Sequence, residues 1–165
     1  MIKYIDFDGV IFDTEVNLFD SNYYELKEQP GFSKEEYVQN IDWYNLIMKS
    51  KEINDSIKLL KEMKDAIILT KINSLYNEAS AKIKILRDLD VRNNIILVPF
   101  NYKKSNIVRA DGNILVDDTV HNLVEWEKDG GVSLFFSKDG RDTDNWGNKN
   151  TKYTKIKSLE YLRRF

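Results

Sequence analysis

Two carboxylates, Asp6 and Asp8, stand one residue apart directly after the short apolar run Met1–Ile5. A carboxylate can attack phosphorus and form an acyl-phosphate, which divides one difficult displacement into two easier ones. A second carboxylate can protonate the leaving oxygen and then take a proton from the attacking water. An isolated Asp-x-Asp-Gly sequence is more typical of a turn at the end of a strand. The chemical interpretation therefore depends on the other motifs of the chain.

A second acidic pair, Asp117 and Asp118, ends another apolar run. Carboxylate oxygens are the ligands that Mg²⁺ prefers, and the ion can bridge them to a substrate phosphate. Adjacent acids at a buried strand end repel each other and are costly to desolvate unless a cation is present. One of them could instead cap the helix predicted after Thr119. Capping explains one acid of the pair and leaves the other unexplained, so the sequence favours a metal site.

Two further residues could bind a phosphate group. Thr70 ends the apolar run Ala66–Thr70, where its hydroxyl would lie beside the backbone N–H groups that open the next helix. A lysine is needed to neutralise the combined charge of nucleophile and phosphate, and Lys104 is the first candidate. Its neighbour Lys103 competes for this position. Neither Thr70 nor Lys104 would identify a site on its own.

The elements that must position these residues alternate along the chain. Continuous apolar runs are typical of parallel strands covered on both faces. Helical patterns lie between and after them, at Ser74–Leu89, after Asp118, and at a C-terminal stripe of Ile156, Leu159 and Leu162. Strand–helix alternation predicts an α/β fold with a parallel sheet. The five predicted strands are Met1–Ile5, Ala66–Thr70, Asn94–Val98, Asn113–Asp117 and Val132–Phe136.

Residues 15–64 interrupt this alternation, because they contain helical patterns and no strand-like run. We therefore predict a core domain formed by residues 1–14 and 65–165, with a small helical insertion at 15–64 after the first strand. Residues 139–150 are polar and rich in Gly, Asp and Asn, which predicts a long surface loop.

The composition narrows the possible partners. With 25 basic and 27 acidic side chains, the net charge of −2 gives no field that would favour nucleic acid or an anionic membrane. The chain has no cysteine, which excludes disulfides, thiolate metal sites and thiol nucleophiles. Neither a signal peptide nor an apolar stretch of spanning length is visible, so we expect a cytoplasmic protein without a membrane or a stable nucleic-acid partner. A monomer and a homodimer are both compatible with the sequence.

The order of the motifs resembles the four-motif pattern of the haloacid dehalogenase superfamily, over nearly the whole chain. This resemblance implies a Rossmann-like five-stranded parallel sheet with a helical cap, and Mg²⁺ as cofactor. Asp6 would be the nucleophile, and Asp8 the general acid/base that also gives its backbone carbonyl to Mg²⁺. Asp118 would be the main metal ligand with Asp117 close by, and Thr70 and Lys104 would bind the phosphate.

Within the superfamily the chain is most similar to the 5′(3′)-deoxyribonucleotidases. The similar segments are the Asp-Phe-Asp-Gly-Val opening, the short cap, and the stretches 68–71, 104–108 and 115–122. The likeness implies a (deoxy)nucleoside monophosphate as substrate, with Lys71 also at the substrate. Cap aromatics stack on the base in that family, and such stacking contributes about 1–3 kcal/mol per base. Of seven cap aromatics we expect most to form the cap's own core, and predict Phe19 and Trp43 as the exceptions.

Other readings remain open at this point. The substrate could be a sugar phosphate or the 3′-phosphate of a polynucleotide, although the near-neutral charge disfavours a long strand. A catalytically silent binding module on the same fold is a further alternative. Asp13 and Thr14 are expected to order the turn into the cap. His121, the only histidine, and Arg141 in the polar loop are more typical of solvated residues than of catalytic ones.

Overall fold

A sheet of six parallel strands forms the centre of the computed structural model, which describes all 165 residues. The strand order is β3-β2-β1-β4-β5-β6. The strands are β1 Lys3–Ile5, β2 Ile67–Ile72, β3 Asn94–Pro99, β4 Ile114–Asp117, β5 Val132–Phe136 and β6 Thr154–Ile156. The predicted α/β fold with a parallel sheet is confirmed. The sixth strand was not predicted, because β6 is three residues long and buries only Ile156.

Seven α-helices accompany the sheet, five of them between β1 and β2. They are α1 Glu15–Leu18, α2 Ser21–Lys27, α3 Lys34–Asn40, α4 Trp43–Lys49, α5 Ser56–Glu62, α6 Ser80–Asp88 and α7 Val120–Lys128. A π-helix, Leu75–Ala79, precedes α6, and short 3₁₀ helices span Lys104–Asn106 and Leu159–Arg164. The C-terminal stripe predicted as one helix is divided between β6 and the last 3₁₀ helix. Spacing of three residues fits a 3₁₀ turn as well as an α-helix.

The buried face of α6 agrees only in part with the predicted stripe. Of the predicted residues, Ala79 and Leu86 are buried, whereas Leu75 and Ile83 are exposed. Lys82 lies three residues after Ala79 and four before Leu86, a spacing that places all three on one side of the helix. Its side chain is fully buried beside Ile85 and Leu86.

The insertion shares its hydrophobic core with the sheet. Trp43 and Ile47 of α4 belong to the same buried cluster of 27 residues as Ile5 of β1 and Ile68 of β2. A single continuous core therefore extends from the sheet into the inserted helices.

A narrow neck connects the insertion to the sheet. Phe12 forms an antiparallel bridge with Glu52, and the backbone N–H of Asp13 donates to the carbonyl of Lys51 at 2.9 Å. Helix α5 follows this neck and contacts the C-terminal 3₁₀ helix, so it acts as the crossover from β1 to β2. No helix of the fold has both the length and the apolar character needed to cross a bilayer.

Candidate active site

The carboxyl ends of β1 and β4, which are neighbours in the sheet, bring three carboxylates together. Oxygens of Asp6, Asp117 and Asp118 lie within 4.8 Å of one another. Ligands bind at this edge in open parallel sheets. Gly9 makes the close approach possible, because its φ is +69° and a Cβ there would lie 1.9 Å from Asp118 Oδ2.

Lys104 is the lysine that reaches these carboxylates. Its Nζ lies 2.8 Å from Asp6 Oδ1 and 2.6 Å from Asp117 Oδ2, and the side chain is buried. The neighbouring Lys103 is exposed. A buried ammonium between two carboxylates compensates part of their charge and fixes their positions.

The two acids of the second pair have different surroundings. Asp117 is fully buried and accepts hydrogen bonds from Lys104, from the backbone N–H of Thr119 at 2.9 Å, and from Asn122 Nδ2. Asp118 accepts one long bond, from Thr119 Oγ1 at 3.4 Å. Asp118 thus has acceptor capacity left for a cation, whereas the oxygens of Asp117 are occupied in holding Lys104 and the start of α7.

The carboxylates of this cluster repel one another, and a bound cation would stabilise their charged forms. Burial raises the pKa of Asp6 to about 7; Lys104 opposes this shift, and the negative charges of Asp117 and Asp8 add to it. Burial, together with Glu15 and Asp117, raises the pKa of Asp118 well above its usual range. Burial is also the main cause that raises the pKa of Glu15 to about 7. The hard oxygen donors and this excess of negative charge fit Mg²⁺.

Asp8 is held on both of its oxygens. Thr14 Oγ1 donates to Asp8 Oδ1 at 2.7 Å, and Lys82 Nζ donates to Asp8 Oδ2 at 2.5 Å. Sequence reasoning missed Lys82. Its spacing of four from Glu78 in a helical segment was the available signal, but such pairs are usually solvated.

Thr70 does not lie at the end of its strand, because β2 continues for two more residues. Its side chain is fully buried, and Oγ1 lies 3.1 Å from Lys82 Nζ. The structure therefore places Thr70 behind Asp8, in contact with the buried lysine.

A cleft of about 220 Å³ opens beside Asp6, Asp8 and Asp118. Lys71 and Phe19 line it, and burial lowers the pKa of Lys71. Trp43 also borders the cleft, but its side chain is only 2% exposed and its Nε1 donates to the carbonyl of Val38 at 2.8 Å. The Trp43 ring therefore offers little surface on which a substrate could stack, because most of it is packed in the core.

The polar loop 139–150 is more than a surface connection. Asp144 is buried and accepts hydrogen bonds from the backbone N–H groups of Val120, Trp146 and Asn148. This places the Trp146 ring 5.7 Å from that of Phe19, where the cleft widens into a groove of about 690 Å³. Phe100, which is exposed, lines the same groove. No local pattern in the sequence indicated that Trp146 lies at the cleft.

His121 and Arg141 both lie at the surface, as expected. His121 Nε2 is 3.3 Å from Glu125 Oε1 on the same helix. Arg141 is 2.8 Å from Asp139 within its loop.

Comparison with protein-family models and with curated protein sequences finds no match. Solved structures do match. YfnB of Bacillus subtilis, described as a HAD-hydrolase and bound to magnesium, has a TM-score of 0.65 at 13% identity, covering 99% of this chain and 96% of that one. The D,D-heptose 1,7-bisphosphate phosphatase of B. bronchiseptica, in complex with magnesium and phosphate, has a TM-score of 0.60 at 12% identity over 99% of both chains.

A third match shows that the fold also serves other chemistry. The L-2-haloacid dehalogenase of Xanthobacter autotrophicus has a TM-score of 0.61 at 11% identity, covering 99% of this chain and 96% of that one. The likeness at these identities concerns the fold. The chain has the Rossmann-like fold of the haloacid dehalogenase-type hydrolases.

Proposed function

We propose that the protein is a Mg²⁺-dependent phosphomonoesterase that forms an aspartyl-phosphate on Asp6. The observation that carries this proposal is the set of Asp6, Lys104 and Asp118 at the carboxyl ends of β1 and β4, with Asp8 beside it. The buried carboxylates outnumber the single ammonium of Lys104, and this excess charge is costly unless a cation binds among them. The cation and Lys104 together would then attract an anionic group.

The chain's own residues can perform both halves of the reaction. Asp6 attacks the phosphorus atom, and the bond from phosphorus to the leaving oxygen breaks while Asp8 gives that oxygen a proton. Water then attacks the phosphorus of the aspartyl-phosphate and gives a proton to Asp8. The bond from phosphorus to Asp6 breaks, so the carboxylate is regenerated and phosphate leaves. Lys104 neutralises the charge that builds up around Asp6 in both steps.

Asp6, Asp118 and the backbone carbonyl of Asp8 would hold Mg²⁺, with Asp117 behind them. The ion would supply charge neutralisation for the phosphate oxygens. Asp117 acts by holding Lys104 at 2.6 Å and by accepting from Asn122.

We further propose a nucleoside monophosphate as substrate. The cleft beside the carboxylates continues into a groove bordered by Phe19, Phe100 and Trp146. Aromatic rings around such a groove suit the planar base of a nucleotide, because an aromatic side chain can stack on the face of any base. Thr70 would act through Lys82, and Lys71 would face the phosphate or the sugar from the wall of the cleft.

Two alternatives keep the same core chemistry. A sugar phosphate would use the carboxylates and leave the aromatic groove empty. A polynucleotide 3′-phosphate is disfavoured by the net charge of −2. A silent binding module has no need for the buried set of Asp6, Lys104 and Asp118, because those charges are costly to desolvate.

Phosphate release tests the proposal. We expect Mg²⁺-dependent release from deoxynucleoside and nucleoside monophosphates that exceeds release from sugar phosphates and from a 3′-phosphorylated oligonucleotide. Asp6→Asn is expected to abolish it, because the amide cannot form the acyl-phosphate, and Asp88→Asn serves as an exposed control of the same chemistry. Release that survives Asp6→Asn, or that does not need Mg²⁺, would contradict the mechanism. Preference for sugar phosphates would contradict the substrate alone.

A further inference from the structure

The reaction described so far assigns no step to the buried lysine of α6. Lys82 is fully buried, and its Nζ lies within hydrogen-bond distance of four oxygens. They are Asp8 Oδ2 at 2.5 Å, Glu78 Oε1 at 2.7 Å, Thr70 Oγ1 at 3.1 Å and the carbonyl oxygen of Lys71 at 3.1 Å. Burying an ammonium is costly even when it is paired, so the enclosed position of Lys82 indicates a role that offsets this cost.

The second carboxylate of this group is fixed independently of Asp8. Glu78 is buried in the π-helix, and its Oε2 accepts from the backbone N–H of Asn73 at 2.7 Å and from Asn73 Nδ2 at 3.2 Å. Its other oxygen is left for Lys82. Glu78 therefore anchors Lys82 to the sheet end even when Asp8 changes its partner. π-Helical turns are frequent at functional sites.

The count of donors and acceptors around Lys82 Nζ shows that the ammonium stays hydrogen-bonded when Asp8 changes its partner. An ammonium group has three N–H donors, and four oxygens surround Lys82 Nζ. When Asp8 turns to a leaving group or to water, Glu78, Thr70 and the carbonyl of Lys71 still occupy all three donors. Lys82 can thus release Asp8 without becoming an unsatisfied buried cation.

We propose that Lys82, anchored by Glu78, is the positioning residue of Asp8 in both proton transfers. This inference rests on the proposed function. Thr14 fixes Asp8 Oδ1 from the neck of the insertion, and Lys82 fixes Oδ2 from α6. Before each transfer the two bonds return Asp8 to one orientation, at the edge of the cleft beside Asp6. The competing explanation is that Lys82 only neutralises buried charge and contributes stability.

Leaving groups of different basicity separate the two explanations. An alkyl leaving oxygen, as in a nucleotide, needs a proton from Asp8, whereas p-nitrophenolate leaves without one. Hydrolysis of the aspartyl-phosphate needs Asp8 as a base with either substrate. Misplacing Asp8 should therefore slow both steps for a nucleotide and only the second step for p-nitrophenyl phosphate.

The experiment compares Lys82→Met with Lys84→Met, an exposed lysine of the same helix that pairs with Asp88. With a deoxynucleoside monophosphate and Mg²⁺, we expect kcat of Lys82→Met to fall about 10²-fold or more, with KM within about twofold. With p-nitrophenyl phosphate, stopped-flow absorbance should show a burst approaching one p-nitrophenolate per site, followed by slow turnover. Lys84→Met should behave like the wild type.

Loss by the same factor on both substrates without a burst would overturn the inference, and so would a change in kcat below twofold. If Lys82→Met does not fold, the double variant Lys82→Met with Glu78→Gln removes the buried unpaired carboxylate and is tested in the same way. Absence of Mg²⁺-dependent turnover in the wild type would overturn the proposed function itself, which makes the two failures distinguishable.

Discussion

The first acidic motif depends on a residue without a side chain. Gly9 has a φ of +69°, and an added Cβ would lie 1.9 Å from Asp118 Oδ2. A larger residue would have to displace the carboxylate that we expect to bind the cation. The glycine is therefore part of the geometry of the site as much as of the turn.

We predict that Gly9→Ala weakens Mg²⁺ binding and phosphate release about tenfold or more, because Asp118 must move away from Asp6. Gly112→Ala is a matched control, since Gly112 has a φ of +70° and nothing within 4 Å of its added Cβ. Both variants should lose about 1–2 kcal/mol of stability from the backbone conformation. Calorimetric titration with Mg²⁺ and thermal unfolding measure the two effects. Equal Mg²⁺ affinities in the two variants would contradict the prediction.

At the scale of elements, much of the fold could be predicted, but the short strand β6 and part of the buried face of α6 could not. The apolar runs gave five of the strands, because a buried parallel strand requires a continuous run. The predicted stripe of α6 was right at Ala79 and Leu86 and wrong at Leu75 and Ile83, because tertiary packing decides how much of a helix face is covered. Lys82 was missed because an i,i+4 pair of Glu and Lys is usually solvated. The position of Trp146 depends on the hydrogen bond between the Val120 N–H and Asp144, which ties the loop to α7. Local sequence does not encode a bond between residues so far apart in the chain.

The loop 139–150 has one residue that holds it in place. Asp144 Oδ2 accepts from the N–H of Val120 at 3.1 Å, and Oδ1 accepts from the N–H groups of Trp146 and Asn148. These bonds join the loop to the first turn of α7, which starts next to Asp118. The loop is therefore anchored next to the end of β4 that bears Asp118.

We predict that Asp144→Ala costs about 1.5–3 kcal/mol of stability and raises KM for nucleotides with little change in kcat, because Trp146 loses its place beside Phe19. Asp142→Ala is the control, since Asp142 lies in the same loop and makes an exposed pair with Lys155. Exposed pairs of this kind contribute about 0–1 kcal/mol. Steady-state kinetics and chemical denaturation provide the measurements. Similar values of KM for the two variants would argue against a role of the loop in binding.

At the scale of the whole molecule, the inserted helices and the sheet form one packed unit. Ile47 and Trp43 of α4 lie in the same core cluster as Ile5 and Ile68. The short neck at Phe12 and Glu52 adds backbone pairing at the connection. Shared burial of this kind favours unfolding in a single transition. That the insertion acts as a cap over the site stays a prediction. Its packing against the sheet limits how far it could move away from it.

The carboxylate cluster should make the stability of the metal-free protein depend on pH. The pKa of Asp6 and of Glu15 is raised to about 7 in the folded state, and that of Asp118 is raised as well. Between about pH 4 and 7 the folded state then binds more protons than the unfolded state, so stability falls as pH rises. Mg²⁺ binds the deprotonated carboxylates, so its stabilising effect should grow over the same range.

We therefore predict that the Tm of the metal-free protein falls between pH 5 and pH 8, and that Mg²⁺ raises it more at pH 8 than at pH 5. Asp118→Asn should raise the metal-free Tm at pH 8, because it removes one of the buried like charges, and should abolish most of the Mg²⁺ effect. Asp88→Asn is the control, since Asp88 is exposed. Scanning calorimetry with and without Mg²⁺ measures all three. A metal-free Tm that rises toward pH 8 would contradict the assignment.

The burial of the tryptophans has an optical consequence. Trp43 and Trp126 are at most 2% exposed, while Trp146 is 52% exposed at the mouth of the groove. Fluorescence from the two buried indoles should be blue-shifted and little affected by dissolved quenchers. The red-shifted, quenchable part of the emission then belongs to Trp146 alone. The native protein thereby carries its own reporter at the groove, and a ligand that reaches Trp146 should protect this emission from iodide without any label being attached.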